Sequence, residues 1–304
     1  MPDVSTGAFA LARSYLFAPG SHERLVRRAF SGGADAVVID LEDAVAYEHK
    51  ALARGVVAKA LAERRRVPDG PLVYVRINSV PSGLWEADLD SVVGPWLDGV
   101  RVAHTNSRAE LEAVNRELSR LERDRGLAPG SIGVVASVET AQAVEHAAEI
   151  ARAPRVGALA FGGTDYLRDV GGAADAEEQG TLLARSHLVV VSRSAGILPP
   201  IASVHPSLPD LDGLRRTSDA ARRLGFFGRS CLHPAQIPVI HEAFTPTVTE
   251  VGEARTLVDA FERQAGAGDA AVLLSDGQLV ERGVVDRARA LLALVERLAA
   301  AHHL

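Results

Sequence analysis

Residues 36–43 read Ala-Val-Val-Ile-Asp-Leu-Glu-Asp, a short apolar run that stops abruptly on carboxylates. No polar residue breaks Ala36–Ile39, so a strand built from it is buried on both faces, as strands of a parallel α/β sheet are. The same grammar recurs along the first three quarters of the chain, at Ser14–Ala18, Leu72–Ile77, Gly99–Ala103, Ile132–Val138, Gly157–Phe161, Leu198–Ile201 and Arg229–Leu232. Helical patterns fill the gaps. In Arg108–Arg123, Leu111, Val114, Leu118 and Leu121 fall on one face at three- and four-residue spacing, and Arg116, Glu117 and Glu122 are expected on the solvated side.

Alternating strands and helices predict repeated βα units. Periodicity alone does not separate a closed barrel from an open doubly wound sheet, since both bury their strands on two faces. The count of candidate strands and the polar residues at their ends favour a TIM (β/α)8 barrel with a C-terminal helical extension. A barrel of this kind takes roughly 250 residues, and the chain has 304. Thr245-Pro246-Thr247 marks the boundary, giving a barrel domain over 1–245 and an extension over 246–304. The extension reads as a helix from about Val251 to Gln264, a Gly-containing turn and a terminal helix. Val284, Ala288, Leu291, Leu292, Val295 and Leu298 form an apolar stripe on that last helix. Such a stripe must be covered by something, either its own barrel or a neighbouring subunit.

Composition excludes several functions. With Lys+Arg 33 against Asp+Glu 39 and a net charge of −6, the chain lacks the broad basic field of a nucleic-acid binder. A single cysteine, Cys231, excludes an internal disulfide framework and a multi-cysteine metal site, which points to the cytoplasm. No apolar run approaches the roughly 18 residues of a membrane span. Neither GxxxxGK[ST] nor a Rossmann GxGxxG occurs. The only lysines, Lys50 and Lys59, lie in a helical stretch rather than at a strand end, which argues against a Schiff base. Carbonyl activation then falls to a metal or to arginine.

In a barrel enzyme the chemistry lies at the C-terminal ends of the strands. Those ends read Asp40-Leu-Glu42-Asp43, Arg76-Ile-Asn78, Glu139 and Gly162-Gly-Thr-Asp165. Each carboxylate alone could be a helix N-cap; together they present acids and a guanidinium to one mouth. Glu139 and Asp165 suit a hard divalent cation, Mg2+ (or Mn2+), which takes one or two protein carboxylates and leaves its other positions to water and substrate. The histidines show no zinc-like spacing.

Arg13-Ser-Tyr-Leu-Phe-Ala-Pro-Gly20, Val38-Ile-Asp-Leu-Glu-Asp-Ala-Val45 with Lys50 and Ala53-Arg54, Arg76-Ile-Asn-Ser79, Glu139-Thr-Ala141, Phe161-Gly162 with Asp165, Ser194-Ala-Gly-Ile197, and Gly225-Phe226 with Gly228 and His233-Pro-Ala-Gln236 occur in that order. This set resembles the citrate lyase β-subunit-like branch of the HpcH/HpaI aldolase superfamily. The resemblance implies a Mg2+-dependent carbon–carbon lyase acting on a 3-hydroxyacyl-CoA thioester of the malyl-, citramalyl- or citryl-CoA kind. It implies Glu139 and Asp165 as metal ligands and Arg76 as the guanidinium facing thioester or oxo-acid oxygens. Asp40, Glu42 and Asp43 match its acidic loop, and Arg13 and Lys50 match cationic positions near the CoA phosphates or pantetheine. A homotrimer or homohexamer is the implied assembly.

The chain departs from that pattern at three places. Ala103-His104 and Asn106 stand where the family has Pro-Lys and, two residues later, Glu. Ala202 replaces an Asp after strand seven, and Gly277-Gln-Leu-Val-Glu281 replaces Gly-Lys-Met-Val-Asp. In relatives that use it, that Asp reaches a neighbouring subunit's site, so Glu281 is the corresponding acid/base or orienting candidate. Alternative readings are an acyl-CoA thioesterase or malate-synthase-like activity, an acyl-carrier-dependent citrate lyase β-type subunit, and a free 2-oxo-acid aldolase.

Overall fold

The computed structural model describes residues 11–64, 70–175, 178–264, 271–273 and 279–302. Two units emerge, Met1–Phe244 and Thr245–Leu304.

In the first unit the chain runs β1 (Ser14–Pro19), α1 (Glu23–Ala29), β2 (Ala36–Asp40), α2 (Lys50–Glu63), β3 (Leu72–Ile77), α3 (Trp85–Val92), β4 (Gly99–Val102) and α4 (Arg108–Asp124). It continues through β5 (Gly133–Val138), α5 (Ala141–Glu145), α6 (Ala147–Ile150), β6 (Val156–Phe161), α7 (Gly163–Val170), α8 (Leu182–Ala195), α9 (Leu211–Leu224), β7 (Arg229–Cys231) and α10 (Ile237–Phe244). The strands are parallel in the order β6-β5-β4-β3-β2-β1-β7.

The expected strand Leu198–Ile201 is present as a hydrogen-bonded segment without regular strand form. Ile201 N–H donates to Leu159 O at 2.8 Å and Phe161 N–H to Ile201 O at 3.0 Å; on the other side Ala202 N–H donates to Gly228 O at 2.9 Å and Ser230 N–H to Ala202 O at 3.0 Å. Single parallel bridges, Ala160 to Ile201 and Ala202 to Arg229, close the ring between β6 and β7. Pro199 and Pro200 offer no N–H to a ladder, which is why this eighth position stays irregular.

The wall is built as the apolar runs require. Val37, Val38, Ile39, Val75, Ile77, Val100 and Val102 are at most 1% exposed, sealed between barrel interior and helices. Leu111, Val114, Leu118 and Leu121 of α4 are buried, and Ser107 caps that helix by accepting from Glu110 N–H. Glu122 departs from its expected solvated place. It is 1% exposed and forms two bonds with Arg155, Nη1 to Oε1 at 2.6 Å and Nη2 to Oε2 at 2.7 Å, while Gly130 and Ile132 N–H groups donate to it. A carboxylate with that many donors tolerates burial.

The second unit holds α11 (Val248–Gln264), an antiparallel pair β8 (Ala271–Leu273) and β9 (Leu279–Glu281), and α12 (Arg282–His302). Thr247 and Glu250 start α11 with a reciprocal cap: Glu250 N–H donates to Thr247 Oγ1 at 3.1 Å and Thr247 N–H to Glu250 Oε2 at 2.7 Å. The stripe on α12 keeps its expected phase at Ala288 and Leu298, which are buried, and differs at its first member, with Val285 fully buried in place of Val284, which is 48% exposed. Its cover is α11 of the same unit, through Ala254, Leu257, Val258 and Phe261. The stripe by itself therefore gives no reason for a subunit interface.

Candidate active site

In a parallel barrel, in-register neighbours point to the same side, so the pairings Asp40 with Arg76 and Arg76 with Arg101 define one polar layer. Phe17 of β1 stacks against both guanidinium groups, at 5.2 Å from Arg76 and 5.1 Å from Arg101. Above this layer a pocket of about 450 Å³ opens at the C-terminal ends of the strands. Asp40, Asp43, Arg76, Arg101, Glu139 and Asp165 supply its charged lining. That volume suits a small acyl group.

Asp40 is 1% exposed and fully engaged. Arg76 Nε donates to Oδ1 at 2.7 Å and Nη2 to Oδ2 at 2.6 Å, and the Glu42 and Ala44 N–H groups add bonds at 2.9 and 3.0 Å. Burial alone would push the Asp40 carboxyl up, but Arg76 and these backbone donors hold it below the ordinary range. Burial likewise disfavours the Arg76 charge, yet Asp40, Glu42 and Glu139 raise its pKa above the usual arginine value. Arg76 Nη1 also faces Glu42 Oε2 at 3.0 Å. Glu42 itself is pushed up to about 7, by burial first and by Asp43 as well, against the pull of Arg76.

Glu139 directly follows β5 and is 2% exposed. Its Oε2 accepts from His104 N–H at 3.0 Å and lies 3.1 Å from His104 Nδ1, while Oε1 has no donor among the described residues. Two local features place it. Thr140 caps α5 immediately after it, accepting from Ala143 N–H at 3.0 Å and donating to Asn106 Oδ1 at 2.5 Å. Gly162 faces it across the barrel wall, where a Cβ would stand 2.8 Å from Oε1. Asp165 lies in the first turn of α7, 21% exposed, with Arg168 Nη2 at 2.8 Å from Oδ1. Arg168 is 73% exposed, and such a surface ion pair is easily surrendered. A carboxylate oxygen left open to the pocket on a largely buried residue, and a half-buried carboxylate at the same pocket, are a donor set that fits a hard cation. Glu42, Asp43 and His104 form a second group whose ligand atoms lie within 4.8 Å of one another, but Arg76 already faces Glu42 there.

Not every expected residue reaches the mouth. Arg13 precedes β1 and Asp35 precedes β2, which places both at the N-terminal end of the barrel, opposite the pocket. Arg13 is 6% exposed and bonded to Asp35 through Nε at 2.8 Å and Nη2 at 3.1 Å, so it braces the barrel floor and cannot meet CoA at the mouth. Lys50 Nζ donates to Leu41 O at 2.8 Å and Glu42 O at 2.7 Å, clipping the acidic loop to the start of α2. Burial lowers its pKa despite the surrounding carboxylates. Glu281 closes β9 in the second unit and is exposed.

The structure also brings forward residues that the strand-end reading passed over. His104 holds a left-handed backbone (φ 44°), rare for a residue with a Cβ, and spans from Glu139 toward Glu42 Oε1 at 3.7 Å. Ser203, next to Ala202, lines the pocket and accepts from Gly163 N–H at 3.0 Å. Arg101 was visible as an arginine interrupting the apolar strand Gly99–Val102.

A parallel barrel with carboxylates and guanidinium groups gathered at its C-terminal mouth is a barrel enzyme. The chain belongs to the HpcH/HpaI aldolase/citrate lyase family, whose model matches residues 13–234. It is 34% identical over 290 residues to the citrate lyase subunit beta of Escherichia coli, covering 93% of each chain. It is 31% identical over 293 residues to a (3S)-malyl-CoA thioesterase of Cereibacter sphaeroides, covering 95% of this chain and 96% of that one. The fold superposes on the crystal structure of CitE from Mycobacterium tuberculosis in complex with magnesium, acetoacetate and coenzyme A, with TM-score 0.77, 27% identity and coverage of 94% and 99%.

Proposed function

We propose that the protein is a Mg2+-dependent carbon–carbon lyase that cleaves a malyl-, citramalyl- or citryl-CoA-like thioester to a shorter acyl thioester and a 2-oxo acid, or runs the reverse condensation. The observation that carries this reading is the convergence of Glu139, Asp165 and Arg76 on one pocket of a chain in this family. Glu139 and Asp165 would hold the cation, which supplies Lewis-acid polarisation of the substrate's hydroxyl or oxo oxygen.

Cleavage breaks the bond between the α-carbon of the thioester and the hydroxyl-bearing carbon. The hydroxyl proton leaves as that carbon becomes a carbonyl, and the bonding pair passes into the thioester as an enolate, which then takes a proton at its α-carbon. Arg76 faces the developing enolate charge. Asp40 grips its fork and Phe17 backs its plane, so the guanidinium is oriented before substrate arrives. Asp40, Glu42 and Asp43 form the acidic loop beside the CoA end and the metal waters, and Lys50 fixes the shape of that loop.

The same reading makes 1–245 the catalytic domain and 246–304 a lid or extension at the interface of a cytoplasmic homotrimer or homohexamer. Glu281 would enter a neighbouring site as the acid/base or orienting group. What supports this is its exposed place at the end of a short hairpin and the family resemblance.

Mass spectrometry of a hydroxyacyl-CoA panel, with Mg2+ and with EDTA, tests the proposal. Metal-dependent appearance of a shorter acyl-CoA with a 2-oxo acid is expected; no cleavage of any member would refute it. Release of free CoA with the acyl chain intact would instead assign thioester hydrolysis.

A further inference from the structure

Arg76 and Arg101 share one polar layer and one aromatic neighbour, yet their surroundings differ. Asp40 matches Arg76 with two hydrogen bonds. Arg101, 5% exposed, donates through Nε to Ser137 Oγ at 2.9 Å and through Nη1 to Ser230 Oγ at 3.0 Å. Among the described residues no carboxylate is bonded to it, and Nη2 finds no acceptor. The side chain nevertheless lines the pocket. Burial pulls this guanidinium down to about 10; Glu139 and Asp40 oppose the shift, and the charge of Arg76 adds to it. Hydroxyl acceptors orient a guanidinium without neutralising it, so a buried charge held this way gains most from an anion that arrives with the ligand.

We propose that Arg101, oriented by Ser137 and Ser230, is the specificity-determining receptor for a second carboxylate on the 2-oxo-acid half of the substrate, so that the site selects a dicarboxylic over a monocarboxylic 2-oxo acid. This rests on the lyase reading. On that reading Glu139 and Asp165 would hold the cation, and Arg76 is already balanced by Asp40. Arg101 is left with no carboxylate hydrogen-bonded to it among the described residues, and the fork geometry of an open guanidinium matches a carboxylate.

Pyruvate and oxaloacetate differ by that one carboxylate, which makes them the probes. Calorimetric affinities in the presence of Mg2+, and kcat and KM for condensation with acetyl-CoA, are measured on the full chain, Arg101→Gln, Arg101→Lys and Ser230→Ala. Wild type should prefer oxaloacetate by about 100-fold or more in kcat/KM, since a site built around a polar group rejects the analogue lacking it. Arg101→Gln should collapse that ratio toward unity, mainly through the KM for oxaloacetate, and Arg101→Lys should restore part of it. Ser230→Ala, a smaller perturbation that remains informative if Arg101→Gln does not fold, should lower the ratio several-fold. A wild-type ratio near unity, equal losses for both acids in Arg101→Gln, or an unchanged ratio in Ser230→Ala would overturn the proposal. Failure to turn over either acid, together with no cleavage of any member of the hydroxyacyl-CoA panel, would refute the lyase reading instead, and the two calorimetric affinities would still decide the role of Arg101.

Discussion

Gly162 offers a perturbation of a single methyl group. Its φ of −105° is ordinary backbone, so alanine enters without torsional strain. The new Cβ would stand 2.8 Å from Glu139 Oε1, 3.0 Å from Cδ and closer still to Cγ. Carbon atoms pack at about 3.5–4.0 Å, so the carboxylate must retreat by roughly 0.5–1 Å. Mg2+ holds its ligands at about 2.0–2.1 Å in near-ideal octahedral geometry, which such a shift defeats. A displacement of about 1 Å at a reacting centre costs on the order of 100-fold in rate. Overpacking should cost about 1–3 kcal/mol of stability, a loss that a chain of this length survives with a melting point lower by about 10 °C or less. Gly162→Ala should therefore remain folded by circular dichroism, bind Mg2+ at least about ten-fold more weakly by calorimetry and lose about 100-fold in kcat/KM. Wild-type metal affinity and turnover in the folded variant would refute the assignment of Glu139 as a ligand.

Asp165→Ala should abolish both Mg2+ binding and turnover, because a two-carboxylate site has little redundancy; calorimetry and the thioester assay read it together. Arg76→Lys should lower kcat by on the order of 100-fold. Because it also replaces a two-point grip on Asp40 by a single contact, a lower melting point is expected alongside. At the other end of the barrel, burial pushes the Asp35 carboxyl up, but Arg13 and His241 more than offset this and hold it below the ordinary carboxylate range. That lowered value stabilises the fold above about pH 4, the unfolded value, and the stabilisation is lost as pH falls through the folded value. Asp35→Asn should cost about 3 kcal/mol at pH 7 and flatten the decline of melting temperature below about pH 4.

Strand existence was legible because strands buried on both faces leave uninterrupted apolar runs, and the carboxylates that stop Ala36–Ile39 and Ile132–Val138 do stand at the mouth. The ring closure at 198–202 was misread in form, since Pro199 and Pro200 keep the apolar content of a strand while removing its donors. Glu122 was misplaced because its partner Arg155 is distant in sequence and helical periodicity carries no information about it. For Arg13 the family motif points to the CoA phosphates or pantetheine, whereas its position just before β1 sets it at the opposite end of the barrel. His104 reads in sequence only as a departure from the family pattern, because its left-handed backbone and its approach to Glu139 exist only in the folded chain.

Glu281 is the expected site residue that lies in the second unit, outside the barrel. The apolar stripe on the terminal helix needs a cover, and α11 of the same unit supplies it. What remains is an exposed carboxylate at the end of β9 and a family motif, so the decision belongs to complementation rather than to burial. Mixing inactive Asp165→Ala subunits with inactive Glu281→Ala subunits should restore partial activity if a site draws on two copies, since some hybrid sites then contain both intact residues. In a freely mixed oligomer about a quarter of sites would combine them if each site draws one residue from each of two copies. Recovery near that fraction, after subunit exchange is verified by mass spectrometry, would place Glu281 across the interface. No recovery, or a stable active monomer by light scattering, would confine catalysis to one barrel and leave Glu139 and Asp165 as the cation site.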